Sequence, residues 1–307
     1  MQAQLEFIDV TPRDGLQNES NHVATATKLE LIQRLLDAGV RRLEVASFVH
    51  PKRVPRAADA EAVCAGLPAY PDARYIGFVL NELGYERAIR TGRLSEIGCV
   101  VCATDSFGTR NQGQTVAGGL AVVRSIRERA RRDGLPCSIT IAVAFGCPFE
   151  GDVCVERIAD IAESVADGVP DEIVLADTIG VAVPVQVRES FEAVRARIGS
   201  AIPLRGHFHN TRNTAVANVQ AAIQCGVTRF DSSLGGTGGC PFAPAATGNV
   251  ATEDLAFFAA RSGYATTLQL DRLIEGARWL GEVLGRSLPG MVSKAGPFPK
   301  RVAGRAR

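Results

Sequence analysis

Apolar residues recur along the chain at two alternating spacings. Eight short runs rich in aliphatic and β-branched residues are predicted strands, at residues 5–10, 42–46, 74–78, 96–102, 138–144, 172–176, 203–207 and 229–232. Between residues 27 and 38, Leu29, Ile32, Leu35 and Leu36 fall on one helical face, and Gly39 follows as a stop signal. The same spacing predicts helices at 116–132, 153–167, 185–198 and 214–225, and at 253–262 and 268–284 after the eighth strand.

Alternating strands and helices indicate an α/β fold with a parallel sheet and helices outside it. An open doubly wound sheet is the competing architecture, but it usually has a glycine-rich turn after the first strand, and here that strand ends in VTPRDGLQNE. Eight even units favour a closed TIM (β/α)8 barrel with an extra C-terminal helix. We expect one catalytic domain over 1–307, with the barrel at about 5–263 and the helix and tail at about 264–307.

The composition argues against some kinds of binding partner. Hydrophobic residues make up 46% and charged residues 22%, which suits a soluble protein with a large core, and the net charge of +1 argues against a nucleic-acid-binding face. No run of 18 apolar residues predicts a membrane span. The eight cysteines are scattered, and the C-x-x-C of Cys99 and Cys102 lies in a strand, where positions three apart face opposite sides. With no leader-like start, we expect reduced cysteines and a cytoplasmic protein.

Ionisable side chains recur at the ends of the predicted strands, where barrel enzymes place their catalytic groups. His207 and His209 are two apart, so both rings face the same side of a strand. With Asp14 after the first strand and Asn249 after the eighth, they form a mixed nitrogen and oxygen set. Such a set suits one Mg²⁺ or Mn²⁺, while Zn²⁺ or Co²⁺ could substitute. A pair of surface or core-capping histidines is the alternative interpretation.

Arg13 beside Asp14 is the second candidate for chemistry. Its fixed donors could stabilise an enolate oxygen, and Glu44 on the neighbouring strand could orient it; an ordinary surface ion pair is the alternative. The third candidate is the glycine-rich run GGTGGCP, which contains Cys240. A cysteine in a loop near a metal site could exchange a proton with a reacting carbon, although a thiol that packs in the turn is also possible.

Several motifs together resemble those of 3-hydroxy-3-methylglutaryl-CoA lyases. They span roughly residues 5–260 in the family's order: DVTPRDGLQNE, EVASFVHPKRVP, GCPFEG, LADTIGV, GHFHNT, GGTGGCP and ATGNVATEDL. The resemblance implies cleavage of a β-hydroxyacyl-CoA thioester, here 3-hydroxy-3-methylglutaryl-CoA, to acetyl-CoA and acetoacetate, without a redox cofactor. It also implies a homodimer or homotetramer.

The resemblance also implies roles for individual residues. The metal ligands would be Asp14, His207, His209 and Asn249. Arg13 would stabilise the enolate with support from Glu44, His207 or Asp14 would relay the hydroxyl proton, and Cys240 would act on the enolate carbon. Gln17 and Asp177 would contact the substrate or shape its site.

The chain departs from the family pattern at a few positions. Asn210 and Asn213 replace an aspartate and a glycine after the histidines, and Val174 and Ala176 replace serine and glycine. These changes bear on the acyl group rather than on the reaction, so citramalyl-CoA or a larger branched glutaryl-CoA remains open. A condensing synthase, a CoA-ester binder without activity and an interaction protein are the other functions considered.

Overall fold

A computed structural model describes residues 4–19, 21–52, 54–239 and 248–299. Its strands are β1 (Glu6–Asp9), β2 (Arg42–Ser47), β3 (Arg74–Phe78), β4 (Glu96–Cys102), β5 (Cys137–Ala142), β6 (Glu172–Asp177), β7 (Leu204–Phe208) and β8 (Arg229–Ser232). All pair in parallel in chain order, and β1 pairs with β8, which closes the sheet. The predicted TIM barrel is confirmed.

Helices surround the barrel. They are α1 (Thr25–Asp37), α2 (Ala60–Ala65), α3 (Glu82–Arg90), α4 (Asp105–Gln112), α5 (Val116–Arg132), α6 (Val155–Ala166), α7 (Pro184–Ile198), α8 (Ala215–Gln224), α9 (Thr252–Ser262), α10 (Leu270–Leu284) and α11 (Val292–Ala295). The extra C-terminal helix is α10, which packs against α1 and α9. The Gln269 amide just before α10 donates to the Ala38 carbonyl just after α1 at 2.8 Å. No helix in the described ranges is both long and apolar enough to cross a membrane.

Helices α2, α3, α4 and α11 were not predicted from the sequence. They are short, and α4 has the largely polar sequence DSFGTRNQ, so a repeating apolar face could not be recognised. A local signal did exist for α3, because Asn81 caps it by accepting a hydrogen bond from the Gly84 amide at 2.8 Å.

The interior of the barrel is layered from its amino end to its carboxyl end. At the amino end, Glu172 accepts hydrogen bonds from Arg42 and Arg229 and pairs with Arg205 at 3.0 Å. Burial tends to raise the pKa of Glu172, but these arginines outweigh it and lower the pKa to about 2. An apolar layer of Ile8, Val10 and Ile76 follows. The carboxyl ends of the strands therefore form the polar mouth where a site can be built.

Candidate active site

A wide turn carries the two residues that follow the first strand. Residues Thr11–Gly15 form a single π-helical turn, in which the amides of Asp14 and Gly15 both donate to the Val10 carbonyl. The turn leaves Arg13 and Asp14 side by side at the mouth, with their side chains only 13% and 18% exposed. Single π-helical turns of this kind occur frequently at functional sites.

Three predicted ligands converge at this mouth. One possible ligand atom each from Asp14, His207 and His209 lies within 4.8 Å of the others, and the two imidazole rings are 5.2 Å apart between centroids. His207 lies inside β7, whereas His209 lies one residue beyond the strand's end, at a bridge to Asn249. These groups are close enough to share one ion.

Asn249 completes this set. Its Nδ2 donates to Asp14 Oδ2 at 2.7 Å and to the Thr237 carbonyl at 3.1 Å. Its Oδ1 is buried and, among the described residues, has no hydrogen-bond partner, and the same holds for Nδ1 of His209. Buried polar atoms without partners are rare, so each needs an explanation. A carboxylate, two imidazoles and a free amide oxygen fit a hard or borderline divalent cation.

A glycine lets the loop after β8 approach these residues. Gly238 has a φ of +103°, and a Cβ built there would lie 2.5 Å from Nδ2 of Asn249 and 3.3 Å from Oδ2 of Asp14. Any side chain at position 238 would collide with these residues. The glycine therefore allows the loop to come close to the site.

The pKa values of Asp14 and His209 are shifted towards the forms that bind metals. Burial tends to raise the pKa of Asp14, but Arg13 and the two histidines outweigh it and lower the pKa to about 2. Burial lowers the pKa of His209 to about 4, with the neighbouring His207 adding to the effect. An ionised carboxylate and a neutral imidazole are the forms that bind metals.

Glu44 contacts Arg13, the residue that the sequence analysis expects it to orient. One oxygen of Glu44 accepts a hydrogen bond from Nε of Arg13 and forms an ion pair with Nη2, and Nη1 donates to Asp14 at 2.9 Å. The pairing between β2 and β3 shifts register between Glu44 and Ala46, and such bulges often re-aim a side chain beside an active site. Each terminal nitrogen of the guanidinium carries two N–H groups, so N–H donors remain on Nη1 and Nη2 for a ligand.

Gln17 and Asp177 occupy different settings. Gln17 lines a small cavity together with Arg13 and Ser47, next to the predicted enolate site. Asp177, at the end of β6, accepts hydrogen bonds from the amides of Val181 at 2.9 Å and Ala182 at 3.0 Å. Both of its oxygens thus anchor the loop before α7, so a substrate contact would compete with these bonds.

Cys240 lies outside the described residues, and its role stays a prediction.

The chain also matches a known protein family over most of its length. The HMGL-like family model matches residues 4–279. The chain belongs to the HMGL-like family. The family resemblance seen in the motifs is confirmed, and so is the prediction that the chain is an enzyme of the lyase class.

Three relatives of this protein are similar to it over nearly their whole length. An (R)-citramalyl-CoA lyase of Chloroflexus aurantiacus is 43% identical over 97% of this chain and 96% of its own. A hydroxymethylglutaryl-CoA lyase of Bacillus subtilis is 37% identical over 92% and 93%. The structure of an HMG-CoA lyase from Acinetobacter baumannii, in complex with coenzyme A and 3-methylmalate, superimposes with a TM-score of 0.91 at 38% identity, covering 99% of this chain and 98% of that one.

Two departures from the family pattern have simple structural explanations. Asn213, in place of a glycine, has a φ of +58°, and asparagine is one of the few residues that tolerate this left-handed conformation. Asn210, in place of an aspartate, still accepts a hydrogen bond from the Ala215 amide at 3.2 Å, just as a carboxylate could. Neither change alters the three convergent ligands.

One carboxylate of the site was missed from the sequence. Asp231 in β8 lies opposite His207 in the strand register, and its Oδ2 is 3.0 Å from Nδ1 of His207. Burial tends to lower the pKa of His207, but the hydrogen bond to Asp231 and the negative charges of Asp231 and Asp14 together outweigh it and raise the pKa. Residues of β8 face alternately into and out of the barrel, and this alternation could have placed Asp231 inside. The sequence does not give the strand register, however, which places Asp231 opposite His207.

Proposed function

We propose that this protein is a divalent-metal-dependent lyase that cleaves a carbon–carbon bond in a short β-hydroxyacyl-CoA and releases acetyl-CoA. The observation that carries the proposal is the convergence of Asp14, His207 and His209 beside Arg13 at the mouth of the barrel. The metal ligands would be these three residues and Asn249, and the ion Mg²⁺ or Mn²⁺. A CoA thioester as substrate is supported by the coenzyme A bound to the Acinetobacter baumannii relative.

Cleavage requires an electron sink and a base. When bound, the cation would supply Lewis-acid polarisation of the substrate's hydroxyl and carboxylate oxygens. Arg13 would direct its remaining N–H donors at the thioester oxygen, where negative charge develops as the enolate forms. His207 or Asp14 would take the hydroxyl proton, and Cys240 would serve as acid at the enolate carbon.

The electrons balance without a redox partner. The hydroxyl loses its proton, the carbonyl of the keto acid forms, and the bond between the carbinol carbon and the thioester's α-carbon breaks. Its electron pair becomes the enolate of acetyl-CoA, which a proton then quenches at carbon. The proposed cleavage therefore needs a divalent ion and no redox cofactor.

The acyl group has two candidates. The motifs resemble those of 3-hydroxy-3-methylglutaryl-CoA lyases, whose products are acetyl-CoA and acetoacetate. The 43% identical relative is a citramalyl-CoA lyase, and 3-methylmalate in the structural relative is an isomer of citramalate. Citramalyl-CoA would give acetyl-CoA and pyruvate. The identity and the isomeric ligand favour a four-carbon hydroxydicarboxylate backbone.

A substrate panel tests both levels of the proposal. Purified protein with Mg²⁺ or Mn²⁺ is offered citramalyl-CoA and 3-hydroxy-3-methylglutaryl-CoA, and the keto acid is identified by mass spectrometry. We expect acetyl-CoA from at least one thioester, with pyruvate from citramalyl-CoA formed faster than acetoacetate. Faster formation of acetoacetate would reverse the substrate assignment but keep the reaction.

A parallel assay separates cleavage from condensation. The protein is incubated with acetyl-CoA and pyruvate or other 2-oxo acids, and consumption of acetyl-CoA is followed. Consumption without any measurable cleavage of the two thioesters would mean that the enzyme is a synthase, and the proposed function would then be wrong.

A further inference from the structure

An aromatic ring stands among the charged groups of the site. Phe78 is the last residue of β3 and is half-buried at the barrel mouth. In the strand register it pairs with Ser47 of β2 and Gly98 of β4. The Cζ atom of Arg13 lies 4.2 Å from the centroid of its ring. This distance is well inside the range of a cation–π interaction.

The ring restrains Arg13 in a direction that its hydrogen bonds do not. Glu44 and Asp14 bind the guanidinium along its edges, within or near its plane. Hydrogen bonds at the edges leave the group free to tilt, because a donor N–H tolerates a broad range of angles. The Phe78 ring, over which Cζ of Arg13 lies, opposes that tilt. Arg13 is therefore held by two carboxylates and one aromatic face.

Glu44 and Phe78 both lie next to Gly98 of the neighbouring strand β4. A Cβ built at Gly98 would lie 3.4 Å from Oε2 of Glu44 and 3.7 Å from Cδ2 of Phe78. Both distances are ordinary van der Waals contacts, so the carboxylate and the ring each lie next to the backbone of Gly98. The two groups that hold Arg13 thus share one supporting surface.

We propose that Phe78 is a positioning residue, whose ring face holds the Arg13 guanidinium so that its free donors point at the thioester oxygen. The inference rests on the proposed function. The negative face of the ring attracts the cation, and a donor already in place costs no reorganisation when the enolate charge appears. Since that charge exists only in the transition state, loss of the ring should lower kcat and leave KM nearly unchanged.

Stepwise fluorination separates the electrostatic role of the ring from its packing. Phenylalanine with one, two or three fluorine atoms is incorporated at position 78, which weakens the ring's negative face while almost preserving its shape. We expect kcat to fall with each fluorine, by about tenfold over the series, while KM stays within about twofold. The same series at Phe191, a buried phenylalanine of α7, is the control. A flat series at position 78, or equal losses at 78 and 191, would overturn the proposal.

Ordinary substitutions provide a second arm. Phe78→Leu keeps an apolar side chain but removes the aromatic face, whereas Phe78→Tyr keeps the face. We expect the leucine variant to lose kcat about tenfold, and the tyrosine variant to retain most of it, with Tm and Mn²⁺ affinity near wild type in both. Wild-type kcat in Phe78→Leu, or an equal loss in Phe78→Tyr, contradicts the inference.

An activity-independent measurement keeps the two proposals separable. The Nε–H proton of Arg13 is assigned in NMR spectra by its loss in Arg13→Gln. A ring against the guanidinium face shifts this proton upfield, and Phe78→Leu should move it downfield. No change in this resonance would overturn the contact itself. If the wild-type protein cleaved no thioester but the shift were present, the proposed function would fail while the placement of Arg13 by Phe78 would stand.

Discussion

At the scale of single residues, the site is built from side chains that hold one another. Glu44 and Asp14 orient Arg13, Asp231 orients His207, and Asn249 bonds to Asp14 while its own oxygen stays free. Removing one partner should therefore alter the behaviour of the next. Two substitutions probe this dependence.

Arg13→Gln removes the proposed enolate donor. We expect the fold to persist and kcat to fall by about 10²–10³-fold, the usual cost of losing one donor to a developing oxyanion. Steady-state kinetics with the best substrate of the panel measures the effect, and circular dichroism checks the fold. Near-normal turnover would exclude the enolate role of Arg13.

Asp231→Asn tests the carboxylate behind His207. A carboxylate that binds the far nitrogen of a metal-ligating histidine fixes its orientation and basicity, so we expect Mn²⁺ affinity to weaken about 10–100-fold. Calorimetric titration of the chelator-treated protein measures it. Asp160→Asn, at an exposed pair with Arg197, is the matched control and should bind Mn²⁺ like wild type. Equal affinities for both variants would mean that Asp231 does not support a ligand.

Much of this site could be predicted from the sequence, because motifs identify residue types at strand ends. Arg13, Asp14 and the two histidines were found in this way, and the structure brings them together. Asp231 and Phe78 were not found, because their roles depend on which residues face each other across neighbouring strands. Register arises from packing of the whole barrel, which a local pattern does not contain.

At the scale of elements, the segment after β8 links the site to the C-terminal helices. Glu253 in the first turn of α9 accepts a hydrogen bond from the Gly235 amide at 3.0 Å, and the Gly290 amide donates to the Gly235 carbonyl at 2.8 Å. Burial raises the pKa of Glu253 to about 8, far above its ordinary value of 4.5. A carboxyl group that stays protonated at neutral pH therefore supports this junction.

Glu253 should make stability depend on pH. Because its folded pKa is raised, the folded state binds the proton more tightly, so its contribution is full below about pH 4.5 and is lost as pH rises through about 8. We expect Glu253→Gln to flatten the decline in unfolding free energy over that window by up to a few kcal/mol, at about 1.4 kcal/mol per pKa unit. Urea denaturation from pH 5 to 9 measures it. Glu163→Gln on the surface is the control, and equal slopes in both variants would refute the buried-acid account.

The helices were predicted where an apolar face repeats over three or more turns. α5 matched its predicted bounds, and α1, α7 and α10 began within two residues of theirs. Short helices such as α4 depend on packing against the barrel rather than on their own sequence, so the pattern could not show them.

At the scale of the whole molecule, the barrel separates a charged amino end from a polar mouth. Glu172 lies among Arg42, Arg205 and Arg229 with 1% of its side chain exposed. Removing one member of a buried charge cluster leaves the others without compensation. The ion cluster therefore belongs to the stability of the closed barrel, not to its chemistry.

The substitution Glu172→Gln tests whether the ion cluster contributes to stability and not to catalysis. We expect it to lower the free energy of unfolding by about 3–5 kcal/mol, measured by urea denaturation, while kcat of the remaining folded protein stays within about twofold. Glu30→Gln, at an exposed pair with Arg34, is the control and should cost no more than about 1 kcal/mol. A large loss of kcat without loss of stability would place Glu172 in the catalytic machinery instead.

The proposed function depends on residues from three distant stretches of the chain holding a single divalent cation. Crystals grown with Mn²⁺ allow anomalous diffraction to locate the ion directly. We expect one strong anomalous peak, with Asp14, His207, His209 and the side-chain oxygen of Asn249 all about 2.0–2.3 Å from it. A peak elsewhere, or none at saturating Mn²⁺, would contradict the account and remove the electrophile on which the proposed cleavage depends.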